Sequence, residues 1–240
     1  MIVTKKSKFL LVFLISLSFP ILAANTGRLT FKIGKVQKKI ASGPWQNMRR
    51  GDLVRSFESV RTLKGATAIF VLPGGHRIKL RSNSIIRLDS LVPKKGRLVT
   101  KIQLESGGIF AKVVRKNNRE VFQIKALTHV AGVRGTQFFV ALEPLKNSQQ
   151  DSLLMCVNKG IIVVTDKKNK QKVNINTGEG IVIDKKSKLP KPRKLKWLKK
   201  FNWNMNEKAG DVVDTTNIKK VYQTAEPKKY SKDFLDLEYD

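Results

Sequence analysis

The sequence predicts an all-β fold, a β-solenoid or sandwich-like stack of short strands. Three observations lead there. From Leu29 to Asp184 the chain is a succession of short β-branched or aromatic runs, nearly all of them alternating apolar with polar residues, and the joints between them carry Gly, Pro, Asn and Ser. No window in this region shows a helical stripe, which removes parallel βαβ folds and with them Rossmann-type dinucleotide sites.

The runs, in order, are ATAIFVL, HRIKLRS, SIIRLDSLV, LVTKIQLES, GIFAKVV, REVFQIKAL, TQFFVALE, SLLMCVN, GIIVVTD, QKVNINT and GIVID. In HRIKLRS, Ile78 and Leu80 alternate with Arg77, Lys79 and Arg81, which predicts one buried face and one face with its charges in water. IFVL and GIIVVT are more continuously apolar, as expected where both faces of a strand are covered. Turn chemistry stands at PGG (73–75), SGG (106–108), NKG (158–160) and TGEG (177–180), which predicts hairpins or solenoid corners. None of these is a phosphate loop, because no Gly-rich spacing closes in Gly-Lys-Ser or Gly-Lys-Thr.

Within VAGVRGTQFFV, Arg134-Gly135-Thr136 interrupts two apolar runs, the second led by Phe138. A glycine there takes the positive φ that reverses a chain, a threonine bonds to the turn backbone, and an arginine reaches carbonyls at the corner. A guanidinium also suits a carboxylate or phosphate, so a ligand contact at Arg134 stays open beside the structural reading.

Residues 1–24 read as a signal peptide, with Lys5, Lys6 and Lys8 ahead of an apolar run from Phe9 to Leu22 and small residues after Pro20. Cleavage is expected after Ala23 or Ala24, which makes the mature chain periplasmic or otherwise exported; a retained anchor is the alternative. The run is shorter than the roughly 18–20 residues a spanning helix requires. The β domain then covers 25–184. Residues 185–205, through KKSKLPKPRKLKWLKK, form a basic linker and amphipathic segment. In a short helix after Pro192, Leu195, Leu198, Phe201 and Met205 fall near one side, with Trp197 and Trp203 flanking. Such a segment lies on an anionic membrane, docks on a partner, or folds back over the β domain. Residues 206–240 mix charge with scattered aromatics and end acidic, which reads as a weakly ordered tail.

The 240 residues carry 48 Lys and Arg against 18 Asp and Glu, a net charge of +30, so polyanions are attracted by long-range, salt-sensitive fields. Cys156 is the single cysteine, which excludes an internal disulfide and a tetrathiolate metal site, and it reads as a buried small hydrophobe. His76 and His129 are the two histidines, too few for a histidine-rich zinc site. No metal, cofactor or catalytic residue is expected. His76 has Arg77 and Lys79 as neighbours, which disfavours it as a base, and no Gly-x-Ser-x-Gly elbow accompanies it. Convergence of Asp89, Glu105, Glu120 and Glu143 is the remaining route to catalysis.

With the strands laid out, the chain resembles the FecR domain family. The resemblance lies in the order of Trp45, Gly51-Asp52, Arg61-Thr62, Gly65-Ala66, Gly75 and Ser84, then LESGGIFAKV, then Arg-Gly-Thr-x-Phe at 134–138, and closing CVNKGIIVV and INTGEGIVI. Gly74 stands where the family usually has Asp before Gly75, and Lys159 where an acidic residue often precedes Gly160; both exchanges remove negative charge. The resemblance implies a β domain outside the inner membrane that, in its best-known members, relays transporter occupancy to a cytoplasmic anti-sigma segment. Only eight residues precede Phe9, so an orphan, exported form without that segment is expected.

The expected function is a non-enzymatic envelope module that contacts a protein partner. The alternative is an electrostatic binder of anionic lipid or acidic glycan, working through Lys191, Arg193, Lys194, Lys196, Trp197, Lys199, Lys200, Phe201 and Trp203. Nucleic acid is not expected as a partner of an exported chain.

Overall fold

The computed structural model describes residues 26–94, 97–114, 120–144, 151–184 and 188–225. The expected signal segment lies outside these residues. The first strands in chain order are β1 (Gly27–Ile33), β2 (Val36–Ile40), β3 (Gln46–Asn47), β4 (Leu53–Val54), β5 (Glu58–Thr62) and β6 (Thr67–Val71). After a 3-10 turn at Pro73–Gly75 come β7 (Arg77–Leu80), β8 (Ile85–Lys94), β9 (Arg97–Lys112), β10 (Glu120–Ala126), β11 (His129–Val133) and β12 (Gln137–Glu143). They are followed by β13 (Ser152–Lys159), β14 (Ile161–Asp166), β15 (Lys172–Asn176), β16 (Glu179–Ile183) and β17 (Arg193–Lys194). A 3-10 turn at Lys196–Lys200 and the helix α1 (Ile218–Ala225) complete the order.

The strands form two sheets. Sheet A runs β4-β1-β6-β7-β9-β12-β13-β16-β17, antiparallel throughout. Sheet B runs β3-β2-β5-β8-β9-β10-β11-β14-β15, antiparallel except for the parallel pair β9–β10. Between them Phe70, Leu80, Ile109, Phe138, Val140 and Met155 from sheet A meet Val60, Ile86, Ile102, Ile124, Ile162 and Val164 from sheet B in one core. Because the chain passes repeatedly from one sheet to the other, the fold is a flattened coil: a sandwich in its layers and solenoid-like in its path.

The crossings explain the polar motifs. The sequence suggests two strands flanking SGG, but β9 is continuous: residues 97–106 pair with β8 in sheet B, and residues 107–112 with β12 in sheet A. Gly107 turns the strand at φ +75°, and a Cβ there would lie 2.5 Å from Ser84 Oγ and 2.6 Å from the Asn83 carbonyl, so the bend needs glycine. Buried Ser84 clamps the bend, its hydroxyl donating to the Gly108 carbonyl at 3.0 Å and accepting from the Gly108 N–H at 2.9 Å. Thr62 in turn accepts from the Ser84 N–H at 3.0 Å.

A second apolar cluster lies on the outer face of sheet A. Phe110, Phe139, Ala141, Leu154 and Cys156 alternate with the inward residues of β9, β12 and β13, and residues 195–222 fold across them as a strap. This is why TQFFVALE and SLLMCVN are apolar at consecutive positions: both faces are covered. The segment 195–205 takes the third of its three expected courses, back over the β domain, as a 3-10 turn with extended flanks. Residues 206–225, read from the sequence as weakly ordered, continue the strap and place Val212, Ile218 and Tyr222 in buried positions. Residues 226–240 lie outside the described residues.

Two expectations about faces are overturned. Two of the three cations of HRIKLRS do not point at water: Lys79 is fully buried and the Arg81 side chain is only 14% exposed, because the strap lies over them, while Arg77 stays about a third exposed. Conversely, GIIVVT is not covered on both sides, since Ile161 is 53% and Val163 40% exposed on the outer face of sheet B. IFVL behaves as expected, with Ile69, Phe70 and Leu72 buried.

Candidate functional site

The strap and its anchors define the chemically distinctive region. Arg77 and Lys79 of β7, and Arg81 just past its end, stand at every second position, so all three project from the outer face of sheet A. There they meet backbone carbonyls contributed by the strap. The Lys79 ammonium donates to the carbonyls of Asn202 (2.6 Å), Asn204 (2.9 Å) and Val212 (2.9 Å), one for each proton, and lies 4.5 Å from the centre of the Phe110 ring. Arg81 donates to the Thr216 carbonyl at 2.5 Å and pairs with Glu143 at 3.4 Å. Its Nε lies 3.1 Å from Asp214 Oδ2, an ion pair rather than an aligned hydrogen bond. Arg77 donates to the Met205 carbonyl at 2.9 Å.

A buried cation is tolerated only when its protons are taken up, and here the strap's carbonyls take them. Burial still lowers the Lys79 pKa to about 8, outweighing the attraction of Asp214 and Asp211. The Glu143 carboxyl is raised by burial despite Arg81. Asp214 is held from its other oxygen, which accepts from the Asn202 N–H and the Thr216 hydroxyl, both at 2.9 Å. Sequence reasoning missed this cluster. The one trace it left is the density of Asn and Asp in NWNMN and DVVD, residues 202–214, opposite a strand of cations.

Aromatic packing completes the strap. Phe110 and Phe139 pack at a tilt with centroids 4.4 Å apart, Phe201 sits 4.9 Å from Phe139, and Trp203 meets Phe110 edge-on at 5.2 Å. Phe201 and Trp203 therefore face sheet A and are not offered to a polyanion. Of the other residues singled out for polyanion contact, Arg193, Lys194, Lys196, Trp197 and Lys200 come together, with Leu195, around an open hollow of about 520 Å³. Lys191 and Lys199 are exposed outside that lining. Lys194 lies 3.6 Å from Glu179, and Arg193 stands 5.9 Å from the Tyr222 ring centre.

Arg134, Gly135 and Thr136 form the crossing from β11 in sheet B to β12 in sheet A. Gly135 has φ +63°, and the Thr136 hydroxyl bonds the carbonyls of Arg134 (3.1 Å) and Ile161 (2.9 Å), tying the corner to β14. Phe138 points into the core between the sheets and Arg134 is exposed.

The histidines are buried in separate places. His76 lies 3.8 Å from Glu120 and edge-on to Phe122 at 5.3 Å; His129 lies 3.8 Å from Asp166, and burial lowers its pKa. The four carboxylates considered for catalysis have different surroundings: Asp89 pairs with Arg87, Glu120 with His76 and Glu143 with Arg81, while Glu105 is exposed on β9. Cys156 is buried under the strap and its thiol pKa is raised well above the usual value. Among the described residues no group of three or more His, Cys, Asp or Glu gathers as a metal site would. No helix among them is long and apolar enough to cross a membrane.

The geometry thus defines a class: an all-β module of two sheets wound round one core. Residues 58–162, from β5 into β14, match the family model described as FecR protein. No curated protein matches the chain. Two crystal structures of a candidate anti-sigma factor from Parabacteroides distasonis ATCC 8503 are similar in part. One shares 15% identity at a TM-score of 0.46, over 57% of this chain and 59% of that one. The other shares 16% at 0.47, over 58% and 63%. The chain thus matches about three fifths of the length of those structures.

Proposed function

We propose that this chain is an exported, non-enzymatic FecR-domain module of the cell envelope that works by contact with a protein partner. The observation that carries the reading is the FecR match over residues 58–162, which spans strands of both sheets. Its distinctive polar residues have structural employment: Thr62 and Ser84 fasten the β9 bend, Thr136 fastens the second corner, and Lys79 and Arg81 hold the strap. A second reading, electrostatic binding of anionic lipid or acidic glycan, is favoured by the hollow of Arg193, Lys194, Lys196 and Lys200.

Truncation before the strap is a poor test, because a chain ending at Asp184 would strip the cover from Phe110, Phe139 and Leu154. Charge reversal at the exposed Lys194, Lys196 and Lys200 is expected to leave the core and the strap in place. The full chain and a K194E/K196E/K200E variant are used to capture material from solubilised envelope, with low-salt and then high-salt washes. A stoichiometric protein held by both chains at high salt, and rebound in purified form, supports the module reading. Recovery of lipid or glycan alone, lost on charge reversal or in a few hundred millimolar salt, overturns it for the second.

A further inference from the structure

We infer that a hollow at the margin of the strap, floored by Arg77, Lys112 and Gln137, binds a carboxylate-bearing sugar residue of the uronate class. These three residues form one rung across the outer face of sheet A, because Lys112 of β9 stands opposite Arg77 of β7 on one side and opposite Gln137 of β12 on the other. The neighbouring rung, Lys79, Phe110 and Phe139, is buried under the strap. The strap reaches the Arg77 rung only at its two ends: Arg77 donates to the Met205 carbonyl at 2.9 Å, and Gln137 Nε2 to the Trp203 carbonyl at 2.8 Å. Lys112, between them, is exposed. The space left over it is an open hollow of about 280 Å³, walled by residues 203–206. It shares no lining residue with the hollow around Lys194, and neither reading of the function requires it.

Charge sets the first requirement on a ligand. Arg77 and Lys112 are like charges directly opposite on adjacent antiparallel strands, an arrangement that costs stability. Among the described residues Glu207, 3.5 Å from Arg77, is the one carboxylate paired with either, and Lys112 has no ion-pair or hydrogen-bond partner. Two cations against one acid leave a single positive charge, which a monoanionic carboxylate neutralises and a phosphate dianion exceeds. Arg77 uses one nitrogen on the strap and retains donors for that carboxylate. The rest of the lining suits a sugar ring. Gln137 is fixed by accepting from Asn158 Nδ2 at 2.8 Å and keeps a second amide proton for a hydroxyl, with Asn206 across the hollow. Trp203 and Met205 offer apolar surface to the ring's C–H groups. The wall is pre-formed, since the side-chain oxygens of Asn202, Asn204 and Asn206 each accept from the backbone N–H two residues on, at 2.9, 2.9 and 3.3 Å. The volume falls just under the roughly 300–1,000 Å³ of small-molecule sites, which is room for one ring rather than a chain.

The test is a titration of the 15N-labelled full chain with sodium glucuronate at about 0.15 M salt, followed at the Trp203 indole and the amides of Lys112 and Asn206. Saturable shifts are expected, with a dissociation constant of the order of 1 mM, the value for a ligand of about a dozen non-hydrogen atoms at ordinary efficiency. Glucose, which lacks the carboxylate, and acetate, which lacks the ring, are expected to bind at least about ten-fold more weakly. Lys112→Gln is expected to weaken glucuronate by about ten-fold and Lys112→Arg to retain it. The K194E/K196E/K200E variant is expected to keep the Trp203 shifts, which separates this site from the other hollow. Acetate or acetyl-aspartate matching glucuronate overturns the sugar in favour of a bare carboxylate or a protein's acidic side chain. Shifts that survive Lys112→Gln unchanged, or a Trp203 signal that never moves, overturn the site itself.

Discussion

Sheet A and sheet B share one strand, β9, and one core, yet their outer faces have opposite fates. Over sheet A the strap buries Phe110, Phe139, Leu154 and Cys156 and, at its other side, accepts the protons of Lys79 and Arg81. Sheet B leaves Ile161 and Val163 in contact with water. The buried outer face thus contains a fully buried lysine, while the exposed one presents branched aliphatics. Alternation shows which residues share a face; coverage by a remote segment decides whether that face is wet.

The comparison breaks most severely where the strap meets aromatic residues. Phe139→Ala is expected to cost about 3–5 kcal/mol in chemical denaturation, since it removes the ring at the centre of the strap contact. The same substitution is expected to speed labelling of Cys156 by a thiol reagent under native conditions; in the parent chain that thiol is buried and reacts only on opening. Unchanged labelling would show that the strap does not depend on this ring.

Next comes the polar anchor. Lys79→Ala leaves three strap carbonyls without their donor and is expected to cost about 2–4 kcal/mol by the same measurement. Lys79 also gives the contact a pH signature. Its pKa is lowered from 10.5 to about 8 in the folded protein, so between those values the unfolded chain binds more protons and stability rises with pH. This contribution is complete above the unfolded value and is lost as pH falls through about 8. Relative to Lys79→Met, the parent chain is expected to gain about 1–3 kcal/mol between pH 8 and 10.5. Parallel profiles for the two chains would show that the ammonium is not titrating in a buried site.

The smallest effect belongs to sheet B. Ile161→Ser is expected to change stability by no more than about 0.5 kcal/mol, an order of magnitude less than Phe139→Ala. A loss above 2 kcal/mol would mean that this face is covered after all, and the contrast between the sheets would fail.

Much of the β architecture was legible in the sequence. The strand runs, the inward pair Ile78 and Leu80, and the corner at Arg134-Gly135-Thr136 follow from period-two alternation and turn chemistry. The β9 bend was not: SGG has the composition of a turn, and only the partners on either side show that the strand continues into the other sheet. Half of the candidate basic site was legible. Arg193, Lys194, Lys196 and Lys200 line one hollow, but Phe201 and Trp203, equally suited by composition, are turned inward by the aromatic cluster.

What the sequence by itself determined is the class of fold, the pairing of residues by face, and the corners, because these depend on local periodicity and on which residues tolerate a reversed backbone. Only the tertiary structure decided which outer face is dry. The groups that make burial of Lys79 tolerable are main-chain carbonyls of Asn202, Asn204 and Val212, more than a hundred residues further along the chain. Every residue has such a carbonyl, so its service as a partner for a charge leaves no mark in the sequence until the chain has folded back to place it.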